Sequence, residues 1–462
     1  MNLVQITPGA GAMYCGNCFR DNALVASLRE MGHDVTMIPL YLPLTLDEDD
    51  QSADTPIFFG GINVYLEQKS ALFRHAPKFL RRMLASRKLL SWAAGRTAST
   101  RASDVGDILM SMLRGEEGRQ ARELEELIAW LKTQPHPDVV CLSNALLVGM
   151  ARRLKTGLQT KVVCTLQGED AFLDSLPETH RAAAWQLLAE RARDVDLFVA
   201  PSRYFGDLMT KRLGLPAEKV EVVFNGIELD GYRTKPTPDP SQEWNNTSAT
   251  TGESFAPLEG SDLGKSHATR NTQHAAPVLG YFARMCREKG LETLVDAYIH
   301  IKRRDRVPRL KLHIGGSCGP ADEPFVKEMR KKLAAGGYIG ETTFASNVSH
   351  AEKLDFLSSL TVFSVPANCG EAFGLYVIEA MAAGVPVVQP RNGAFPELIE
   401  ATGGGVVCEP DNPTSLALAI EELLLNPDRA RQLGDAGRIS VFKEFNSTAM
   451  AIRSLEAFEE AK

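Results

Sequence analysis

Two carboxylates stand eight residues apart in the run Glu371-Ala-Phe-Gly-Leu-Tyr-Val-Ile-Glu379. The first falls in a glycine-bearing loop, and the second falls inside a helix expected to begin near Leu375. The backbone N–H groups of Phe373, Gly374 and Leu375 at that helix start would attract an anion, because the first turn leaves its amides unpaired and carries the positive end of the helix dipole. A carboxylate just ahead of such a site can accept hydrogen bonds from sugar hydroxyls, and one about a turn into the helix can grip a ribose diol. Taken alone, acids around a helix start are ordinary capping. A second run, Tyr281-Phe-Ala-Arg284-Met-Cys-Arg-Glu-Lys289-Gly290, raises the weight of the first. Here a strand enters a loop carrying Arg284 and Lys289 just before a helix at Leu291. Two cations at the carboxyl end of a strand in an open α/β sheet lie where phosphorylated ligands bind, and they would neutralise a departing diphosphate.

Weaker signals surround these. The glycine loop Pro8-Gly9-Ala10-Gly11-Ala12-Met13-Tyr14-Cys15-Gly16-Asn17-Cys18 lies between a strand and a helix, and its glycines allow a backbone to approach a phosphate or sugar closely. Its Cys15-Gly-Asn-Cys18 pair suits either thiol chemistry at a helix start or packing around the loop; one such pair supplies too few ligands for a four-coordinate zinc. Glu169 and Asp170 are candidates for an acceptor contact, or else exposed loop charges. The acidic run Asp47-Glu48-Asp49-Asp50 reads as a solvated loop, and no histidines have zinc-protease spacing, so no metal site is assigned.

The elements that must position these residues follow an alternating rhythm of short apolar runs and amphipathic stretches, the signature of βαβ units and parallel sheets. Strands are expected at 3–6, 35–40, 138–142, 162–166, 197–200 and 220–224, all apolar enough to be buried on both faces. A second series is expected at 278–283, 310–314, 342–345, 361–365, 385–388 and 405–407. The predicted class is α/β, two doubly wound domains: 1–230, with a helical insertion at about 42–134, and 277–445, followed by a helix at 446–462 that returns to the first domain. Residues 235–276 hold only Trp244, Phe255, Leu258 and Leu263 as large apolar residues and read as a mobile linker. Between 69 and 101 nine Lys or Arg stand without an acid among leucines and phenylalanines. That run is a candidate for peripheral membrane contact, or for a solvated basic rim.

Length and composition agree with this plan. The chain has 462 residues, 44% hydrophobic and 24% charged, with 51 basic against 58 acidic residues for a net charge of −7. Nucleic-acid binding is not expected from that balance. No apolar run is long enough to span a membrane and no signal peptide is visible. Eight dispersed cysteines suit reduced thiols, so the expected compartment is the cytoplasm, with the inner membrane face as a variant.

In order along the chain, the spaced glutamates, the Arg284…Lys289-Gly290 loop, Pro201-Ser-Arg-Tyr204, Val223-Phe-Asn-Gly-Ile227 and Gly393-Ala-Phe-Pro-Glu397 resemble glycosyltransferase family 4, of GT-B architecture. The resemblance implies two Rossmann-like domains facing across a cleft and transfer of a sugar from a UDP-, GDP- or ADP-sugar, with retention, to a sugar or lipid-linked acceptor, without a required cofactor. It implies that Arg284 and Lys289 bind the diphosphate, that Glu371 contacts the transferred sugar and that Glu379 contacts the ribose. The amides of Phe373, Gly374 and Leu375 would hold the distal phosphate, and the base would lie near Gly315, Asn347 and Val348. Gly16 aligns with a loop glycine of the family. Gln167 stands where the family usually has a histidine; it can hydrogen-bond but not titrate. Alternatives are a GT-B epimerase or phosphorylase and a non-catalytic sugar-nucleotide binder, the last favoured by Gln167.

Overall fold

A computed structural model describes residues 1–9, 16–44, 46, 48–59, 102–232 and 276–460. The basic run 69–101, Cys15, Asp47 and all but the last residue of the expected linker 235–276 lie outside them.

Each of the twelve expected strands has a counterpart. The first six are β1 (Asn2–Thr7), β2 (Asp34–Pro39), β3 (Val139–Leu142), β4 (Lys161–Thr165), β5 (Leu197–Ala200) and β6 (Val220–Val222). They form one parallel sheet in the order β2-β1-β3-β4-β5-β6. The next six are β7 (Val278–Phe282), β8 (Lys311–Gly316), β9 (Thr342–Ser346), β10 (Val362–Phe363), β11 (Val387–Pro390) and β12 (Gly405–Cys408). These form a second parallel sheet in the order β12-β11-β10-β7-β8-β9. In each sheet the chain reverses its direction of growth once, between β1 and β3 and between β7 and β10. The crevice outside the strands' carboxyl ends at such a reversal is where open α/β sheets take ligands.

The central strands β3, β4, β5 and β7 are buried over nearly their whole length, as apolar runs in a parallel sheet should be. β6 is different from expectation: it is the edge of its sheet, and its three residues are half-buried or exposed. Apolar composition matched the central strands, but only neighbours on both sides can bury a strand. The expected strand 361–365 is also trimmed to Val362–Phe363. Just past it the Val365 amide donates to the Gln389 side chain at 3.3 Å instead of continuing the ladder.

The helices pack on both faces. In the helix Leu291–Arg304, the buried Leu291, Leu294, Val295, Tyr298 and Ile301 recur at three- and four-residue intervals, while Lys302, Arg303 and Arg304 complement the dipole at its end. Within the expected insertion, the described segments include helices at Ala102–Leu113 and Ala121–Leu131. The last helix, Ser447–Glu460, lies against the first, Gly16–Glu30. Met450, Ala451, Leu455 and Phe458 join Leu24, Val25, Leu28 and the inner side chains of the first sheet in one core. The chain reaches it beside the segment that leaves the first sheet. The Ile227 amide donates to the Phe445 carbonyl at 3.0 Å and the Ser447 amide to the Ile227 carbonyl at 2.9 Å. Gly226 permits this approach, since a methyl group there would stand 2.1 Å from the Asn446 carbonyl oxygen.

Candidate active site

Lys289 leaves β7 and Glu371 leaves β10. These strands are hydrogen-bonded neighbours, Val362 opposite Leu279 and Phe363 opposite Gly280, so residues 82 apart in sequence meet at the reversal point of the second sheet. The Lys289 ammonium donates to Glu371 Oε2. The Tyr376 hydroxyl donates to the same oxygen at 2.6 Å, and the Lys289 nitrogen lies 5.3 Å from the centre of the Tyr376 ring. Burial works against the charge on Glu371, but Lys289 and the two hydrogen bonds prevail and hold its carboxyl below the usual range. Burial likewise opposes the Lys289 charge, and the adjacent Glu371 carboxylate overrides it, so its pKa is raised. Burial, with Glu371 alongside, pushes the Tyr376 phenol well up, so it stays a donor.

The two other charged candidates for the donor, Arg284 and Glu379, also have partners. The Arg284 guanidinium grips Asp322 through Nε at 3.1 and 3.2 Å and Nη2 at 3.0 Å, with much of its side chain still exposed. Glu379, in the helix Leu375–Ala382, accepts from Lys353 at 2.9 Å, and both side chains are largely buried. Asp322, Lys353 and Tyr376 were not singled out from the sequence. Tyr376 lay inside the quoted motif; nothing in spacing marked Asp322 or Lys353, whose contacts depend on how separate βα units pack.

The loop of Glu371 is braced from behind. The Ala394 amide donates to the Glu371 carbonyl at 2.9 Å. Gly393, at φ +59°, lies so close that a methyl group there would stand 2.3 Å from the Glu371 nitrogen. Gly16, at the start of the first lobe's first helix, faces the site: a methyl group on it would be 3.5 Å from Leu375 Cδ1. Cavities of about 540 Å³ and 640 Å³ lie elsewhere, one lined by His300, Arg303 and Lys332, the other by His136, Lys155 and Asp196. Neither contains a residue of this constellation.

Comparison with known proteins decides the family. Residues 265–440 match the family described as Glycosyl transferases group 1, and residues 101–230 match Glycosyltransferase Family 4. The chain belongs to glycosyltransferase family 4. Among curated relatives, a GDP-mannose-dependent alpha-(1-6)-phosphatidylinositol monomannoside mannosyltransferase of Mycobacterium tuberculosis is 25% identical over 310 residues, 66% of this chain and 71% of its own. A glycogen synthase of the same species is 23% identical over 333 residues, 71% of this chain and 69% of its own. The fold is that of Anabaena HepE, solved with UDP (TM-score 0.65, 15% identity, 100% of both chains). It is also that of sucrose-phosphate synthase from Thermosynechococcus elongatus (TM-score 0.66, 18% identity, 99% of this chain and 98% of that one). The protein is therefore a GT-B glycosyltransferase.

In this glycosyltransferase β8 and β9 pair with Gly315 opposite Ala345, and the Asn347 amide donates to the Gly316 carbonyl, which brings Gly315, Asn347 and Val348 into one region. Both ends of the Asn347 side chain are used: Oδ1 accepts from the Cys318 amide and Nδ2 donates to its carbonyl, each at 3.0 Å. Gly315 is buried under the rings of Phe282 and Phe356, 5.3 Å apart, an aromatic lining the sequence did not announce. Val348 packs partly buried on the second core, and the Phe373 ring is buried beside Phe224 and Phe445, leaving only its backbone to serve a ligand.

On the facing lobe, Gly168 approaches Ala372, a methyl group on it falling 3.5 Å from the Ala372 Cβ. That places Gln167 beside the Glu371 loop, with its Nε2 buried and without a hydrogen-bond partner among the described residues. Of the two readings of Glu169, the exposed loop charge is corrected by its burial. The residue is 5% exposed, and its two oxygens accept from the amides of Ala145 at 2.7 Å and Gln167 at 2.9 Å. Burial raises its pKa, and its work is to brace the loop. Asp170 is half-buried, which raises its carboxyl, and it is close enough to Tyr204 and Cys369 to affect their titration.

The sequence also gave no warning that its two remaining motifs dock on each other. The Ser202 hydroxyl donates to the Ala372 carbonyl at 2.6 Å, and Glu397 accepts from the amides of Arg203 at 2.9 Å and Tyr204 at 3.0 Å. Those amides begin the helix Arg203–Leu213, so a carboxylate of one lobe caps a helix of the other.

Proposed function

We propose that this glycosyltransferase moves a hexosyl group from a nucleoside-diphosphate donor to an acceptor hydroxyl with retention of configuration. The observation that carries the reading is the meeting of Lys289, Glu371 and Tyr376 ahead of the helix Leu375–Ala382, opposite Gly16. The amides of Gly374 and Leu375 take the distal phosphate, and Lys289 and Arg284 balance charge as it develops on the leaving diphosphate. Glu371 accepts from hydroxyls of the transferred sugar and Glu379 from the ribose. The bond from the anomeric carbon to the diphosphate breaks while the acceptor oxygen bonds that carbon from the same face. The acceptor's proton passes to the departing phosphate oxygen. No cofactor enters this reading. Gln167 supplies a neutral hydrogen bond to the sugar, and Asp170 faces the acceptor side.

The names of similar proteins make GDP-mannose the first donor to try, with UDP-glucose beside it, and ADP-glucose completes the donor classes that the resemblance allows. A true donor binds the folded state and raises the melting temperature; at a hundred times its Kd the gain is about 2.7 kcal/mol. Release of nucleoside diphosphate that depends on an added sugar or glycolipid acceptor, with an α-linked product by NMR from an α-linked donor, supports retaining transfer. An inverted product overturns the stereochemical reading, and nucleotide-sugar consumption without acceptor dependence overturns transfer. Among the described residues no helix is long and apolar enough to cross a membrane; a lipid-linked acceptor would be met at the membrane surface, with 69–101 as the proposed contact.

A further inference from the structure

We propose that Tyr376 is a positioning residue: with Lys289 it holds Glu371 by one carboxylate oxygen, Oε2, and so presents the other, Oε1, to the transferred sugar. This rests on the function proposed above and adds to it the atom that meets substrate and the side chain that selects it.

Both protein donors to the carboxylate converge on Oε2. Among the described residues Oε1 takes no hydrogen bond from the protein, while the Glu371 side chain retains 16% exposure. The three groups close on themselves, because Lys289 touches the Glu371 oxygen and the Tyr376 ring together. Tyr376 is well placed to hold a geometry. It is the second residue of the helix Leu375–Ala382, and its ring stands 6.3 Å from that of Phe395 and 6.4 Å from that of Phe363. A phenol fixed in this way and bonded at 2.6 Å to an ionised oxygen is a strong, directional donor. Lys289 alone is a point charge on a flexible stem and would leave the carboxylate free to turn about its last torsion, exchanging the two oxygens. Holding a substrate-contacting group in one orientation before substrate arrives is what makes its contact effective in the transition state.

The test is Tyr376→Phe, which keeps the ring and its packing and removes one oxygen. In the full chain labelled with 13C-carboxyl glutamate, with Glu371→Gln to assign the resonance, the Glu371 titration moves to higher pH in the variant, because a hydrogen bond to the charged form has gone. The other groups facing Glu371 are common to both proteins: Lys289 and Tyr281 from the β7 side, and Cys369 from its own loop. Asp170, across the cleft, faces Cys369 and is unchanged too. With GDP-mannose or UDP-glucose, whichever the wild type consumes, kcat falls about tenfold or more while the donor KM stays within a few-fold. A residue that only packs would move neither reading in the Phe variant. An unmoved titration overturns the proposal, and so does an unchanged kcat. If the wild type consumes neither donor, it is the proposed function that suffers, and the titration still decides whether Tyr376 holds Glu371.

Discussion

Lys289 and Glu371 each keep the other charged in a place where burial would discharge either. The signs are opposite. Glu371 has its pKa lowered on folding, so its contribution to stability is complete above 4.5, the ordinary carboxylate value, and is lost as pH falls through the depressed one. Lys289 has its pKa raised, so its contribution is complete below 10.5 and is lost as pH rises through the elevated value. The difference in denaturant midpoint between wild type and a Lys289→Met, Glu371→Gln double variant should therefore be flat between those limits and shrink outside them. Either single change strands a largely buried charge and costs more stability than the double, which a double-mutant cycle in denaturant would show. Transfer falls about a hundredfold or more in all three, measured as nucleoside diphosphate released, because the double change restores packing without restoring the electrostatics.

Two short motifs act as one joint at the scale of elements. The helix Arg203–Leu213 has its amides of Arg203 and Tyr204 bonded by Glu397, and Ser202 both accepts from the Phe205 amide and donates to Ala372. Behind Glu397, Gly393 and Ala394 press on the backbone of Glu371. The placement of a first-lobe helix is thus tied to the placement of Glu371, the residue proposed to meet the sugar. Glu397→Ala removes an acceptor from two amides at a helix start and should cost about 1 kcal/mol. Hydrogen exchange should quicken at Arg203 and Tyr204, and transfer should fall although no substrate contact is touched; exchange as slow as wild type would show that the cap carries no weight. The residues of this joint could be read from the sequence as motifs. Their joining could not, because helix capping is ordinarily a local interaction and here the cap comes from 194 residues away.

Across the whole molecule, the first sheet is completed by the chain's last helix. Phe458 is 2% exposed, in a core with Leu24, Val25, Leu28 and strand residues of β1 to β5. Phe458→Ala should cost about 3–5 kcal/mol, read as a lowered denaturant midpoint. Since that helix reaches the first lobe beside the paired backbones of Ile227 and Asn446, loosening it loosens both crossings between the lobes at once. Donor binding, proposed to use mainly the second lobe, should suffer less than transfer.

Period and residue type are local properties, and they were enough to determine twelve strands, two α/β lobes and the charged loops at β7 and β10. They also placed the two glutamates around one helix start, since eight residues of loop and helix leave little freedom. Strand order is different. Parallel strands meet neighbours chosen by the packing of the entire sheet, so only the folded chain could decide that Lys289 reaches Glu371, that Arg284 holds Asp322 and that Lys353 pairs with Glu379. The same reason makes β6 an edge and Glu169 a buried brace: burial is a property of what surrounds a residue, and surroundings come from distant chain.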